Sequence, residues 1–305
     1  MNQQQQLPKI GFIGLGAMGA PMARNVAAGG YALTVLDADA ETTRKVAADI
    51  GATPAASAAE VGARSDIVVT MLPTSRIVET VLFGADGLAA SLKPGSIVVE
   101  MSSGAPSRTR EIAERLAALD IALVDAPVSG GVPRAKTGDL AIRLGGEAAT
   151  LDTIRPLVAR MGSTLTVVGG VGAAHAMKAL NNLVSAGGFL IGIEALLIGS
   201  RFGLSPETMV DVLNASTGMN NSTQKKFKQF VLSRRFDAGF GLDLMVKDLG
   251  IALDVASETD TTTPFSSLCL ELWSAAQKTL GTGQDHTAVA RFQEIIAGSE
   301  LGPRG

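Results

Sequence analysis

The sequence predicts an α/β chain: a doubly wound parallel sheet over residues 1–170, a long connecting helix, and an all-helical second domain over residues 171–305. Three observations carry this. Short apolar runs alternate with helical periodicity up to about residue 170. Strand signals stop beyond Gly172. From there on, every patterned stretch has helical spacing, beginning with the apolar segment around Leu183 to Ser200. A length of 305 residues suffices for two domains, and a hydrophobic content of 46 % fills two cores.

The first strand, Ile10 to Ile13, is a continuous apolar run. Gly14, Gly16 and Gly19 follow in GxGxxG spacing, with Ala17 and Met18 between the last two, and a helical stretch then reaches Gly29 and Gly30. Strand, glycine turn and helix in that order is the context of a dinucleotide-binding turn. Gly14 allows the tight turn, Gly16 lets the backbone touch a pyrophosphate, and Gly19 lets the helix lie close to the strand. The pyrophosphate then rests on unpaired N–H groups at the helix N-terminus. Ala32 to Leu36 forms the next strand. Asp37 ends it, 23 residues after Gly14, where a carboxylate can hold two ribose hydroxyls. Such a carboxylate repels a 2′-phosphate, so NAD is the expected cofactor, with NADP as the alternative because Arg44 is near in sequence.

Glu41 to Ile50 reads as a helix ending near Gly51, and Asp66 to Leu72 as a buried strand stopped by Pro73. Ser96 to Met101 is another strand, followed by Ser102, Ser103 and Gly104. Ser107 to Leu119 has helical spacing, and Ile121 to Val124 returns to a strand. Leu140 to Leu144 and Thr164 to Val168 add two strands around a helix over Glu147 to Met161. Downstream, Ser205-Pro206 pairs an N-cap with proline at the first helical position, opening a helix to about Ala215. Helices are expected over Ser222 to Leu232, Leu242 to Ser257, Pro264 to Leu280 and His286 to Ala297, with Thr263 and Asp285 capping the last two. Ligands of open parallel sheets bind beyond the carboxyl ends of the strands, which places the expected site in a cleft between the domains.

Composition excludes several classes. A net charge of −3 without a basic, aromatic-interleaved cluster argues against a nucleic-acid partner. One cysteine, Cys269, rules out an internal disulfide framework, and with only His175 and His286 no metal site is expected. The opening MNQQQQLPK lacks a signal pattern, so the chain reads as cytoplasmic with a short disordered glutamine tail. Leu183 to Ser200 approaches the ~20 residues of a membrane span. Glu194 inside it, with Asn181 and Asn182 ahead of it, makes it a core helix and not a membrane contact.

Three segments could carry chemistry. Asp125 to Leu140, DAPVSGGVPRAKTGDL, follows a strand; Ser129 offers a hydroxyl, and Gly130 and Gly131 leave backbone N–H groups unobstructed for a carboxylate. A plain surface turn is the competing reading. In GGVGAAHAMKALNN, Lys178 and Asn182 are four residues apart and share a helix face. A lysine in the first turns of an apolar helix can donate a proton to a developing alkoxide, and its neutral form can take one back. A snorkelling surface lysine is the alternative. In FGLDLMVKDLG, Asp243 and Lys247 are spaced as an i, i+4 ion pair on a solvated helix face. His175 reads as a packing residue at the helix start, His286 as a first-turn surface residue, and Arg134 as solvent-exposed, with reach to an acidic substrate as the alternative.

Together, GFIGLGAMGAPMARN, the loop DAPVSGG with Ala135 and Gly138, the helix bearing Lys178 and Asn182, and MVKDLG resemble the β-hydroxyacid dehydrogenases. The resemblance spans nearly the whole chain and is to the branch of 3-hydroxyisobutyrate dehydrogenase, which includes tartronate semialdehyde and short-chain semialdehyde reductases. It implies a Rossmann domain followed by a helical one, and hydride transfer between NAD(H) and a small 3-hydroxy acid or its semialdehyde. It further implies Lys178 as the proton-transfer residue, Asn182 as a substrate holder, and Ser129, Gly130 and Gly131 as the binders of the substrate carboxylate. Lys247 closes over cofactor and substrate, and Leu72, Pro73 and Ser102 match positions lining the cofactor. A homodimer or homotetramer is expected from the resemblance and from the apolar long helix. Ala174 and His175 depart from the family pattern, which commonly has glycine four residues before the lysine. Two other readings remain open from the sequence: a reductase of another small carbonyl or imine, and a non-catalytic NAD(H) sensor.

Overall fold

The strands of the first half are short, and the central ones, Ile10–Ile13, Ile67–Thr70 and Ile97–Glu100, are buried at every position, because a parallel sheet covered by helices is buried on both faces. The computed structural model describes residues 7–301, so the glutamines expected as a disordered tail lie outside the described residues. In chain order the elements begin with β1 (Ile10–Ile13), α1 (Gly19–Ala28), β2 (Leu33–Leu36), α2 (Ala40–Ile50), β3 (Thr53–Pro54) and α3 (Ala58–Ala63). Next come β4 (Ile67–Thr70), α4 (Ser75–Phe83), β5 (Ile97–Glu100), α5 (Pro106–Ala117) and β6 (Ala122–Asp125). The sheet is completed by β7 (Val128–Ser129), α6 (Gly131–Thr137), β8 (Ala141–Gly145), α7 (Ala148–Val158) and β9 (Thr164–Gly169).

The strand order is β3-β2-β1-β4-β5-β6-β8-β7, with β9 on β8. From β3 to β6 all pairs are parallel, in registers such as Ile10 with Leu33 and with Ile67. The order reverses direction at β1 and β4, the switch point of a doubly wound sheet. The expectation of an all-parallel sheet needs one correction: β8 runs antiparallel to β6 and β7, while β9 is parallel to β8. Two apolar clusters fill the faces, one around Phe12, Met22, Val99 and Leu144, the other around Val61, Val68, Leu82 and Leu116.

The chain divides after Lys178 into two compact units. That division falls inside α8 (Ala173–Phe202), a continuous helix of 30 residues. By length and composition α8 could cross a membrane, but 56 % of its apolar window is buried inside the fold, as in a core helix. The second unit continues with α9 (Pro206–Asn214), α10 (Asn221–Lys225), α11 (Leu242–Glu258), α12 (Pro264–Leu280) and α13 (Val289–Ala297). Its core centres on Phe189, whose ring meets Phe227 edge-on at 5.3 Å and Trp273 at 6.1 Å.

Several local expectations change. The segment from Asp125 to Leu140 is not an open loop, since β7 and α6 lie within it. The single helix expected over Ser222 to Leu232 is α10 followed by a π-helical turn, Phe227–Leu232. Asp285 caps as expected by accepting from the Thr287 N–H, whereas the Thr263 side chain makes no capping bond. His286 is 4 % exposed rather than a surface residue, with its Nδ1 3.1 Å from the Phe240 carbonyl.

Candidate active site

The glycine turn comes first. Gly14 has φ +97°, and a Cβ there would lie 2.2 Å from the Met71 carbonyl oxygen. A Cβ on Gly19 would meet the Gly14 carbonyl oxygen at 1.8 Å, so the helix start can touch the turn only without a side chain. Gly16 differs: a Cβ there would meet no atom within 4 Å, and the residue faces open space. No side chain caps the α1 N-terminus and no acidic residue occupies its first turn. Exposed Gly16 and Ala17, followed by half-buried Met18 and an uncapped, acid-free helix start, fit a pyrophosphate. Asp37 is tied to the same turn, its Oδ2 accepting the Leu15 N–H at 2.7 Å and its Oδ1 the Asp39 N–H at 3.0 Å.

Ser102 is buried, and its hydroxyl accepts the Leu72 N–H at 2.8 Å. It therefore fixes the segment Leu72-Pro73 that follows β4. The Ser102 N–H in turn donates to Glu100 Oε1 at 2.8 Å.

Lys178 lies in the second turn of α8, and its Nζ donates to the Val128 carbonyl at 2.8 Å. That carbonyl precedes Ser129, so the lysine, which sequence analysis left open as a surface residue, sits half-buried beside the DAPVSGG segment. Gly130 and Gly131 have φ +132° and +65°, a backbone path that opens α6. Ser129 Oγ accepts from Arg143 Nη1 at 3.0 Å, a contact that sequence analysis missed. Arg134 pairs with Asp139 at 3.1 Å.

His175 does more than pack. Its ring is buried, with Nε2 3.0 Å from Glu100 Oε2 and 3.1 Å from the Ser102 carbonyl. Its Nδ1 is 2.8 Å from Thr109 Oγ1, whose own hydrogen goes to the Ala105 carbonyl at 3.0 Å. The Glu100 carboxylate at Nε2 favours the charged form of the ring. Burial opposes that charge, but Glu100 and Asp125 outweigh it and hold His175 above its ordinary pKa. Burial likewise opposes the Glu100 carboxylate, yet the His175 charge and the bonds from His175 and Ser102 keep it below its usual range. For Asp125 burial prevails and pushes the carboxyl up, although Oδ1 accepts the Gly172 N–H and Oδ2 the His175 N–H, at 2.8 and 2.9 Å. The ends of β5 and β6 thus grip the first turn of α8, three residues before Lys178. The signal was an acid closing each apolar strand, IVVE and ALVD.

In the second unit, Asn182 donates to Asp248 Oδ2 at 2.6 Å, and Asp248 Oδ1 lies 3.3 Å from Lys247 Nζ. The expected Asp243–Lys247 pair is replaced: Asp243 accepts from Gln277 Nε2 at 2.7 Å. Lys226, where the π-helical turn begins, has its Nζ 3.3 Å from Ser185 Oγ, and burial pulls its pKa down to about 8 against the charge of Asp285.

Comparison with known proteins places this architecture. Residues 9–170 match the NAD binding domain of 6-phosphogluconate dehydrogenase, and residues 172–293 match the NAD-binding family of NADP-dependent 3-hydroxyisobutyrate dehydrogenase. The chain belongs to the 3-hydroxyisobutyrate dehydrogenase family. It is 38 % identical to 2-(hydroxymethyl)glutarate dehydrogenase of Eubacterium barkeri, over 95 % of this chain and 96 % of that one. It is 34 % identical to 2-hydroxy-3-oxopropionate reductase of Escherichia coli, over 96 % and 99 %. The solved 3-hydroxyisobutyrate dehydrogenase of Mycobacterium tuberculosis, described with L-serine, superposes with a TM-score of 0.87 at 30 % identity, covering 94 % of this chain and 99 % of that one. This family member is an NAD(P)-dependent oxidoreductase acting on 3-hydroxy acids and the corresponding semialdehydes. The readings as a carbonyl or imine reductase outside that class, or as a sensor without turnover, are set aside.

Proposed function

We propose that the enzyme interconverts a small 3-hydroxy acid and its semialdehyde with Lys178 as the general acid and base. The observation that carries this is the Lys178 Nζ bond to the Val128 carbonyl, which brings an ammonium beside the residue offered to the substrate carboxylate, Ser129. Bound NAD(H) supplies or accepts the hydride. The Ser129 hydroxyl and the N–H groups of Gly130 and Gly131 hold the carboxylate, and Asn182, one turn beyond Lys178 along α8, steadies the reacting end. In reduction the Lys178 ammonium gives its proton to the oxygen that gains charge. In oxidation the neutral amine removes it. Orientation and stabilisation of that oxyanion supply most of the rate gain.

Gly14, Gly16, Ala17, Met18 and Gly19 form the pyrophosphate turn in this reading, Asp37 holds the ribose, and Leu72, Pro73, Ser102 and Lys247 complete the cofactor's surroundings. Asp37 favours NAD over NADP by charge repulsion with a 2′-phosphate. The domains are a cofactor domain over residues 1–170 and a helical substrate and oligomerisation domain over residues 171–305. A homo-oligomer is supported by a stripe along α8, Val184, Ile191 and Ile198, exposed at 76, 55 and 71 % in the single chain. Spaced at sevens, they lie on one helix face. Sedimentation showing only monomer at micromolar concentration would remove the assembly from the account.

Initial rates with a panel of 3-hydroxy acids and semialdehydes, in both directions and with NAD and NADP, test the reaction. Turnover confined to substrates with a carboxylate adjoining the carbon next to the reacting one supports it. Turnover only of imines or of carbonyls without a carboxylate refutes it.

A further inference from the structure

A cation beside the proposed carboxylate site has no role in the reaction described so far. Arg143 lies in β8, where Ile142 and Leu144 point into the core and Arg143 takes the other face. The β7–β8 register sets Ser129 opposite Ala141, and the Arg143 N–H donates to the Pro127 carbonyl at 3.2 Å. Ser129 and Arg143 are therefore a diagonal pair on one face, within reach of a long side chain. The Arg143 Nη1 bond to Ser129 Oγ at 3.0 Å is that contact.

The guanidinium is half-buried, and among the described residues no carboxylate lies within 4 Å of it. Its pKa is drawn down by burial alone. Guanidinium carries five N–H donors in a planar fork matched to a carboxylate. Arg134, Arg115 and Arg234 each have an acidic partner, whereas Arg143 bonds a hydroxyl that itself still has a hydrogen to donate. A half-buried cation without an anion gains most when an anion arrives.

We propose that Arg143 is a substrate-recognition residue: its guanidinium and the hydroxyl it orients on Ser129 together hold the carboxylate of the 3-hydroxy acid. The inference rests on Ser129 being the carboxylate holder. Because Nη1 donates to Ser129 Oγ, that oxygen's own hydrogen is directed away from the guanidinium, toward the incoming anion. Two consequences follow. The enzyme discriminates the acid from its uncharged ester by charge as well as by hydrogen bonding, and it does so without either group touching the transferring hydrogen.

The test uses the full-length enzyme as wild type, Arg143→Met and Arg143→Lys. KM and kcat are measured for 3-hydroxyisobutyrate and its methyl ester, together with binding of malonate as an unreactive carboxylate probe. Thermal unfolding and NADH affinity serve as checks on folding. The expected result for Arg143→Met is a rise in acid KM and malonate Kd of at least about tenfold, a clearly smaller rise in ester KM, and unchanged Tm and NADH affinity. Arg143→Lys recovers part of the loss. Equal losses for acid and ester, or none for either, overturn the proposal. If the wild type binds malonate through Arg143 but turns over no 3-hydroxy acid, the anion site stands and the reaction assignment fails; if malonate binding does not depend on Arg143, the anion site falls whatever the turnover.

Discussion

Alanine at Gly16 and alanine at Gly19 should separate cofactor recognition from folding, because the structure gives the two methyl groups opposite surroundings. At Gly19 the new Cβ falls 1.8 Å from the Gly14 carbonyl oxygen and 3.3 Å from Phe12 Cε1. The turn or the helix must then move, at a cost of ~1–3 kcal/mol for an overpacked site. At Gly16 nothing lies within 4 Å and the backbone is not in the left-handed region. Alanine there should be neutral or stabilise by ~0.4–1 kcal/mol through a less flexible unfolded chain. The same methyl stands where the pyrophosphate must approach the backbone. NADH affinity of Gly16→Ala should therefore fall at least tenfold, ~1.4 kcal/mol. Thermal unfolding of the apo-proteins and fluorescence titration with NADH read the two quantities. Wild-type NADH affinity in Gly16→Ala would refute the assignment of this turn.

Asp37→Ala should cut the preference for NAD over NADP by about tenfold or more, since the repelled 2′-phosphate regains access; Kd for both nucleotides measures it. Arg234 forms a two-point contact with Glu294, at 2.5 and 2.9 Å, and Glu294 is 5 % exposed. Arg234→Met leaves that buried carboxylate uncompensated and should lower unfolding stability by about 3 kcal/mol in urea melts. His175 has a raised pKa, so the stability it contributes is whole below its ordinary value of 6.5 and is lost as pH rises through the folded value. Wild type should thus be more stable than His175→Gln at pH 6, and the gap should narrow on raising the pH toward 9. Glu100, with a lowered pKa, sets the acid limit: its contribution disappears as pH falls below the ordinary 4.5 and through the folded value. A gap that widens with pH would contradict the charged pair.

Much of the fold was legible because the apolar runs that form β1, β4 and β5 are continuous and the helices between them have clear ends. Gly51, in the left-handed conformation at φ +67°, stops α2 where the sequence placed its end. What escaped was structure set by long-range contact. α6 is hidden because GGVPRAKTG reads as turn residues, and the antiparallel β7–β8 pairing involves two residues with no strand pattern of their own. The π-helical turn at Phe227 and the burial of His286 depend on packing around Phe189, which local spacing does not encode.

In the candidate site, the residues that the sequence singled out were those with a motif: the glycine turn, Asp37, Ser129 and Lys178. Arg143 and the Glu100–His175–Asp125 cluster were not. Their meaning lies in contacts 14 to 75 positions apart in sequence, Ser129 with Arg143 and Glu100 with His175. No periodicity announces such a pairing. An acid ending an apolar strand was the one available hint.

The most direct test of Lys178 is the single-turnover rate of NADH formation by Lys178→Met at saturating NAD, with the 3-hydroxy acid that wild type oxidises best and with NADH affinity measured alongside. A fall of at least ~100-fold with NADH affinity preserved is expected if that amine moves the proton. A wild-type rate in the variant would contradict it.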